Sequence, residues 1–215
     1  MHVPDGLLPA QVCAGGYVLT GLATWFSLRQ INRKENPQAE VPKAALLTAA
    51  FFLASSIHIP IPPTSVHFVL NGLMGVMLGY YAFPAILIGL LFQAVMFQHG
   101  GLTTMGVNAT MMGTSALLAY SLFRLYRIAK PWLGEAGSRL LFAFLSGAVG
   151  LGLAILIFLV IVLTTIPADF DAGVEKTAIY GLALAHVPMM LIEGIFTAML
   201  VAFLQKVKPQ LLEDA

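Results

Sequence analysis

Charge is scarce in this chain. Only 10% of its 215 residues are Asp, Glu, Lys or Arg, against roughly 25% in a soluble domain. Eleven basic and ten acidic side chains leave a net charge of +1, which excludes the basic footprint of a nucleic-acid binder and leaves no acidic tail. There is one cysteine, Cys13, so no disulfide forms within the chain and no cysteine-based metal cluster is available. In its apolar segment Cys13 reads as a small buried hydrophobe. Two catalytic motifs are also missing. Without a Gly-x-x-x-x-Gly-Lys-Ser/Thr loop the chain has no site for ATP hydrolysis, and without His-Glu-x-x-His an intramembrane metallohydrolase is a poor reading. The amino terminus lacks the basic stretch and small-residue cleavage site of a secretory signal. Met1 is expected to stay in place, because so bulky a residue as His2 follows it, and its amine is then free.

Apolar residues are abundant: 59% of the chain, with a mean hydropathy of +0.87. The solvent is a lipid bilayer. A spanning helix needs about 20 mostly apolar residues, and counting along the chain gives seven candidates, at about 9–28, 44–57, 66–81, 84–98, 107–125, 140–164 and 178–204. The expected fold is an all-α membrane protein of seven transmembrane helices, with a tight Ala82-Phe83-Pro84 connection between the third and fourth. The segments 29–43, 124–139 and the tail after 205 hold ten of the eleven basic residues. Basic loops stay in the cytoplasm, and an odd helix count puts all three there, with the amino terminus outside and the carboxy terminus inside. Residues 1–215 read as a single integral membrane domain that opens with a short amino-terminal segment, 1–8. A channel or carrier would place ionisable groups along a path through the spans, and deep in them there is little beyond Glu193.

The chain opens Met1-His2-Val3-Pro4-Asp5-Gly6. The α-amine of Met1, the backbone nitrogen of His2 and its imidazole Nδ1 lie in series and can close two fused rings around one ion. An ion that drives amide deprotonation and accepts a planar nitrogen set is Cu(II) or Ni(II), and the amine, titrating near 7.7–8.0, gives up its proton readily. The topology places His2, His58, His67, His99 and His186 at or near one face, and histidine is the commonest metal ligand. His67 is the best fourth donor. It follows Ile59-Pro60-Ile61-Pro62-Pro63-Thr64-Ser65, whose prolines stiffen the approach, and is expected in the first turn of the third span, where the helix dipole favours a neutral ring. Val3-Pro4-Asp5-Gly6 has the composition of a turn that folds the terminus inward. Around these donors Asp5, His58, His99, Asn108, His186 and Glu193 are supporting or gating candidates: Asp5 orienting the chelate or capping the first span, Asn108 capping a helix or bonding a ligand's second nitrogen, Glu193 as a costly intramembrane ionisable group or an interhelical bond. Met105, Met111, Met112, Met189 and Met190 are better read as core. Ala45 and Ala49 form a small-xxx-small pair that permits close helix contact.

Met1 through Leu8, Val66-His67-Phe68, Phe97-Gln98-His99-Gly100-Gly101, Gly106-Val107-Asn108, His186-Val187-Pro188 and Glu193-Gly194 together resemble the CbiM/NikM family, substrate-binding membrane subunits of energy-coupling factor (ECF) importers for nickel or cobalt. The resemblance covers almost the whole chain. It implies a six-helix core plus an extra amino-terminal helix in a prokaryotic cell (inner) membrane, with no enzyme activity of its own. It implies that the Met1 amine, the His2 amide and imidazole nitrogens and the His67 imidazole hold the ion in a plane. It also implies a transmembrane coupling subunit, cytoplasmic ATPase subunits and a small membrane accessory subunit as partners, with Ala45 and Ala49 similar to the docking surface for the first. The Pro-Asp-Gly opening is more like the nickel members, and planar coordination suits Ni(II) better than Co(II). Ni(II) is thus the expected substrate, with Co(II) for cobalamin supply as the alternative.

Overall fold

A computed structural model describes residues 2–61, 64–165 and 172–212, the side chains of 58–61, 64, 65, 172 and 174 excepted. Pro9, with its fixed φ, leads into α1, Ala10–Ile31, which closes on Arg29 in its last turn, where a cation complements the helix dipole. α2, Val41–Ala54, carries a proline in its first turn, the one helical position where the missing N–H is not needed. The proline-rich stretch that follows cannot continue a helix. Instead β1, His58–Ile61, pairs antiparallel with β2, Thr64–His67, in a register that sets His58 opposite His67. The chain then enters α3, Asn71–Leu78, passes through a single 3₁₀ turn at Gly79–Tyr81 and runs on as α4, Ala82–Phe97. α5 is Met105–Phe123, α6 Tyr126–Thr164, α7 Ala172–Ala185 and α8 Val187–Val207. Large apolar side chains such as Leu46, Trp132 and Leu184 stand exposed around the outside, as lipid-facing residues do.

The expectation of seven transmembrane helices is overturned. Its third span does not exist as drawn, because residues 66 and 67 belong to β2 and helix begins only at Asn71. The eight residues of α3 rise about 12 Å, well short of the roughly 30 Å of a bilayer core. The connection expected at 82–84 is also misplaced: Ala82 already starts α4, and the bend sits at Gly79, whose φ of 55° favours glycine. Taken as continuous stretches, the described residues form six helical segments. By length and composition three suffice to cross a membrane, Asn71–Phe97, Tyr126–Thr164 and Glu175–Val207, with Val41–Ala54 a shorter apolar helix. The odd count that fixed both termini falls with the seven. The sixth expected span starts fourteen residues early, because Tyr126–Leu133 and the helix from Glu135 onward abut across Gly134, non-helical at φ 70°.

Glycine decides where these helices meet. A Cβ on Gly147 of α6 would lie 2.6 Å from Thr197 Oγ1 and 2.7 Å from the Glu193 carbonyl oxygen of α8, and one on Gly150 would lie 2.6 Å from the Cα of Gly72 in α3. α3, α6 and α8 are therefore in backbone contact, the arrangement that small residues permit inside a membrane. Gly16 of α1 meets Val107 of α5, and Gly106 meets Tyr17, in the same way. Gly15, one residue along, faces open space. Gly147→Leu should lower unfolding stability by about 1–3 kcal/mol, the usual cost of overpacking, whereas Gly15→Leu should leave it unchanged. Thermal unfolding of the two variants in detergent checks the contrast.

Candidate metal centre

The amino-terminal segment is drawn into the mouth of the bundle by its own backbone. Val3 is fully buried. Its N–H donates to Asn108 Oδ1 at 2.9 Å, and its carbonyl oxygen accepts from Asn108 Nδ2 at 3.0 Å and Thr104 Oγ1 at 2.7 Å. A side-chain amide thus satisfies one residue as a neighbouring strand would, which a buried peptide requires. Two residues on, Asp5 accepts from the backbone N–H groups of Leu102, Thr103 and Thr104 at 3.1, 3.0 and 3.2 Å and from the Thr103 hydroxyl at 2.6 Å. These groups stand at the start of α5, where unpaired N–H groups and the positive dipole end attract a carboxylate. The Thr103 hydroxyl bond first, and then the backbone donors, hold the Asp5 carboxyl below the usual carboxylate range. Gly101 makes room, since a Cβ there would overlap the Asp5 carboxylate.

That docking puts His2 among two other histidines. Its ring lies 5.1 Å from that of His67, inclined by 28°, and 4.3 Å from that of His99, at 89°; His67 and His99 are 5.0 Å apart. One nitrogen from each ring falls within 4.8 Å of one from each of the others. His67 ends β2, and its Nδ1–H donates to the Phe68 carbonyl at 2.9 Å, which leaves Nε2 as the lone pair. His99 is swung inward by Gln98 and Gly100, both in left-handed conformation at φ 52° and 83°. Burial above all drives the His67 pKa down from 6.5 to about 2, and burial likewise holds His2 well below its ordinary value. The rings of His2 and His67 are neutral at pH 7, as ligands must be.

The other expected residues fall into place around this cluster. Asn108 bonds the backbone of Val3 rather than a ring nitrogen, and Asp5 caps α5, not the first span and not the chelate. His67 is in a strand, not a helical turn, so burial rather than a helix dipole keeps it neutral. His58 faces His67 across the ribbon, with its side chain outside the described residues; Met1 lies outside them too. His186, buried on the last turn before α8, directs Nδ1 to the Leu182 carbonyl at 2.8 Å and stands outside the three-ring cluster. Glu193, also buried, accepts from the N–H groups of Val69 and Leu70 at 2.6 and 3.0 Å. It anchors the stretch just after His67, where Leu70 takes a left-handed φ of 54°. Met111, Met112 and Met189 are core. Ala45 and Ala49 line a groove of about 750 Å³ with Leu28, Ile31, Ala85 and Ile88. Sequence reasoning passed over Gln93, whose Oε1 lies 2.9 Å from His2 Nε2. Its signal was present: Gln93 is the one polar residue in the sixteen of α4, and a polar group at such depth usually has a task.

A multi-pass membrane protein that gathers neutral imidazoles at one mouth is built for metal capture. The comparisons agree. Residues 2–211 match the family described as the cobalt uptake substrate-specific transmembrane region, CbiM, and the chain belongs to that family. It is 33% identical to a putative metal transport protein of Haemophilus influenzae, over 99% of this chain and 97% of that one. It is 32% identical to a putative cobalt transport protein CbiM of Methanocaldococcus jannaschii, over 99% and 90%. It is 34% identical to a fused nickel transport protein NikMN of Rhodobacter capsulatus, over 99% of this chain but 64% of that protein. Crystal structures of a truncated transition metal transporter and of a transition metal transporter share the fold, with TM-scores of 0.79 and 0.78 over 96% of this chain at 23% and 24% identity, covering 99% and 93% of those chains. These are transport proteins, not enzymes, and membership implies partner subunits.

A titration follows from the buried rings. Because the folded pKa of His67 lies far below its unfolded 6.5, the unfolded chain takes up a proton that the folded chain refuses. The stability due to the neutral ring is complete above about pH 6.5 and declines as pH falls beneath it, by up to about 1.4 kcal/mol per pH unit. Unfolding midpoints measured from pH 7.5 to 5 should fall for the wild type and fall less steeply for His67→Gln.

Proposed function

We propose that the chain captures a divalent first-row transition metal at the outer face of the membrane and delivers it to an ATP-driven ECF importer. The observation that carries this reading is the convergence of His2, His67 and His99 at a mouth formed by the inward-folded amino terminus. Four nitrogens are assigned to the ion: the Met1 amine, the His2 amide and Nδ1, and His67 Nε2. The Nδ1 of His2, buried with no hydrogen-bond partner among the described residues, supports one of them, and the Nδ1–H that His67 donates to the Phe68 carbonyl leaves Nε2 as the lone-pair nitrogen of that ring. The outer face is supported by direction. The starts of α1, α5 and α8 lie at the end that holds these rings, through Gly16 against Val107, Asn108 on Val3 and His186 near His67. α1 and α8 carry Arg29 and Lys206 in their last turns and Arg124 follows α5 directly, and basic residues favour the cytoplasmic side. Energy comes from partners, since the sequence has no phosphate loop. A transmembrane coupling subunit, a pair of ATPase subunits and a small membrane accessory subunit complete the importer, with the groove at Ala45 and Ala49 as the docking surface for the first.

Cobalt(II) is the substrate the family description supports, and several relatives are named for cobalt. Nickel(II) is the second reading, favoured by the donor set: an amine, a deprotonated amide and imidazoles in a plane suit Ni(II), which also binds nitrogen sites more tightly than Co(II) as a general rule. Adding one residue ahead of Met1 moves the amine out of register and should abolish tight binding of either metal with the fold intact. Calorimetric titration with Co(II) and Ni(II) reads both points: undiminished affinity in the extended protein would sink the chelate, and the tighter of the two metals in the wild type names the substrate.

A further inference from the structure

We infer that Gln93 aims the His2 ring at the metal, by accepting the proton on Nε2 and so leaving Nδ1 bare and turned toward the centre. This rests on the proposed capture of metal at the amino terminus and identifies a positioning residue for it. Gln93 has 0% exposure in a helix otherwise built of apolar residues and glycine, and a primary amide is costly to bury there without a bond. Its side chain has one polar contact among the described residues, Oε1 to His2 Nε2 at 2.9 Å, while its Nε2 has none. A carbonyl oxygen only accepts, so the shared proton belongs to His2 Nε2. A neutral imidazole carries one proton. Nδ1 therefore holds the lone pair, and it is buried with no hydrogen-bond partner.

Nδ1 is the nitrogen that chelation needs. With the backbone nitrogen of the same residue it closes a six-membered ring through Cα, Cβ and Cγ, whereas Nε2 lies on the far side of the imidazole. The same glutamine also holds the next histidine: the backbone carbonyl of Gln93 accepts the N–H of His99 at 3.1 Å. One residue thus sets the orientation of the His2 ring and the turn that brings His99 beside it. An acceptor behind a ligating histidine fixes its tautomer and raises its basicity, and losing one typically weakens metal binding 10–100-fold.

The test uses the full-length protein in detergent, titrated with Co(II) and with Ni(II). Gln93→Leu, close in size and unable to accept, should bind both metals 10–100-fold more weakly, and Gln93→Glu, which keeps the acceptor, should restore the affinity. In the metal-free wild type, ¹⁵N chemical shifts of the His2 ring should report a protonated Nε2 and a bare Nδ1, and Gln93→Leu should loosen that preference. Full affinity in Gln93→Leu, a Gln93→Glu variant as weak as Gln93→Leu, or a protonated Nδ1 in the wild type would each overturn the inference. Gln93→Met replaces Gln93→Leu should the latter not fold, and the wild-type ¹⁵N measurement decides if neither does. A wild type that binds neither metal would overturn the capture reading, while the ¹⁵N shifts of the metal-free protein would still judge Gln93.

Discussion

Everything at the mouth of this bundle depends on how the backbone of Val3 is satisfied. A chain end in water keeps its peptide groups hydrated, and drawing one into an apolar mouth leaves an N–H and a carbonyl to be paired. The Asn108 side chain pairs both, Thr104 adds a second donor to the carbonyl, and Asp5 then locks the following turn across the start of α5. With Val3 held, His2 has little choice of position. The rings of His67 and His99 come to it from a β-ribbon and from the end of α4, each delivered by an irregular piece of backbone that regular helix could not supply.

The price of that irregularity is met by buried polar groups on the neighbouring helices. Leu70 and Gln98 adopt left-handed conformations that cost non-glycine residues roughly 1–3 kcal/mol. Glu193 of α8 binds the N–H groups of Val69 and Leu70, and the Gln93 carbonyl closes the end of α4 onto Gln98 and His99. α8 in turn is pressed against α6 and α3 through Gly147, Gly150 and Gly72. The packing of the bundle and the geometry of the rings are therefore connected through one carboxylate and a seam of glycines.

Much of this was legible in the residues. Composition marked a chain built for lipid, and three of the histidines that the sequence singled out, His2, His67 and His99, come together with Asn108 beside the amino-terminal segment. Segment count was not legible, because hydropathy registers apolar length and not backbone conformation. Val66, Phe68, Val69 and Leu70 are apolar enough to extend a helix, yet they run as strand and loop, with Val69 and Leu70 held by Glu193 from 124 and 123 residues away, a contact that no local pattern announces. The same limit applied to Asp5, whose partners lie almost a hundred residues distant. Gln93 differs: a lone amide in an apolar helix was visible from the start, and only its partner needed three dimensions.

The central claim is that the amino terminus itself is a ligand set, closed by His67. X-ray absorption at the metal edge, on the protein loaded with Co(II) and with Ni(II), addresses it most directly. The account predicts a shell of four nitrogen donors, planar for nickel, with outer scattering from two imidazole rings and not three. A shell dominated by oxygen or sulfur, or one with three imidazoles and no amide nitrogen, would contradict it.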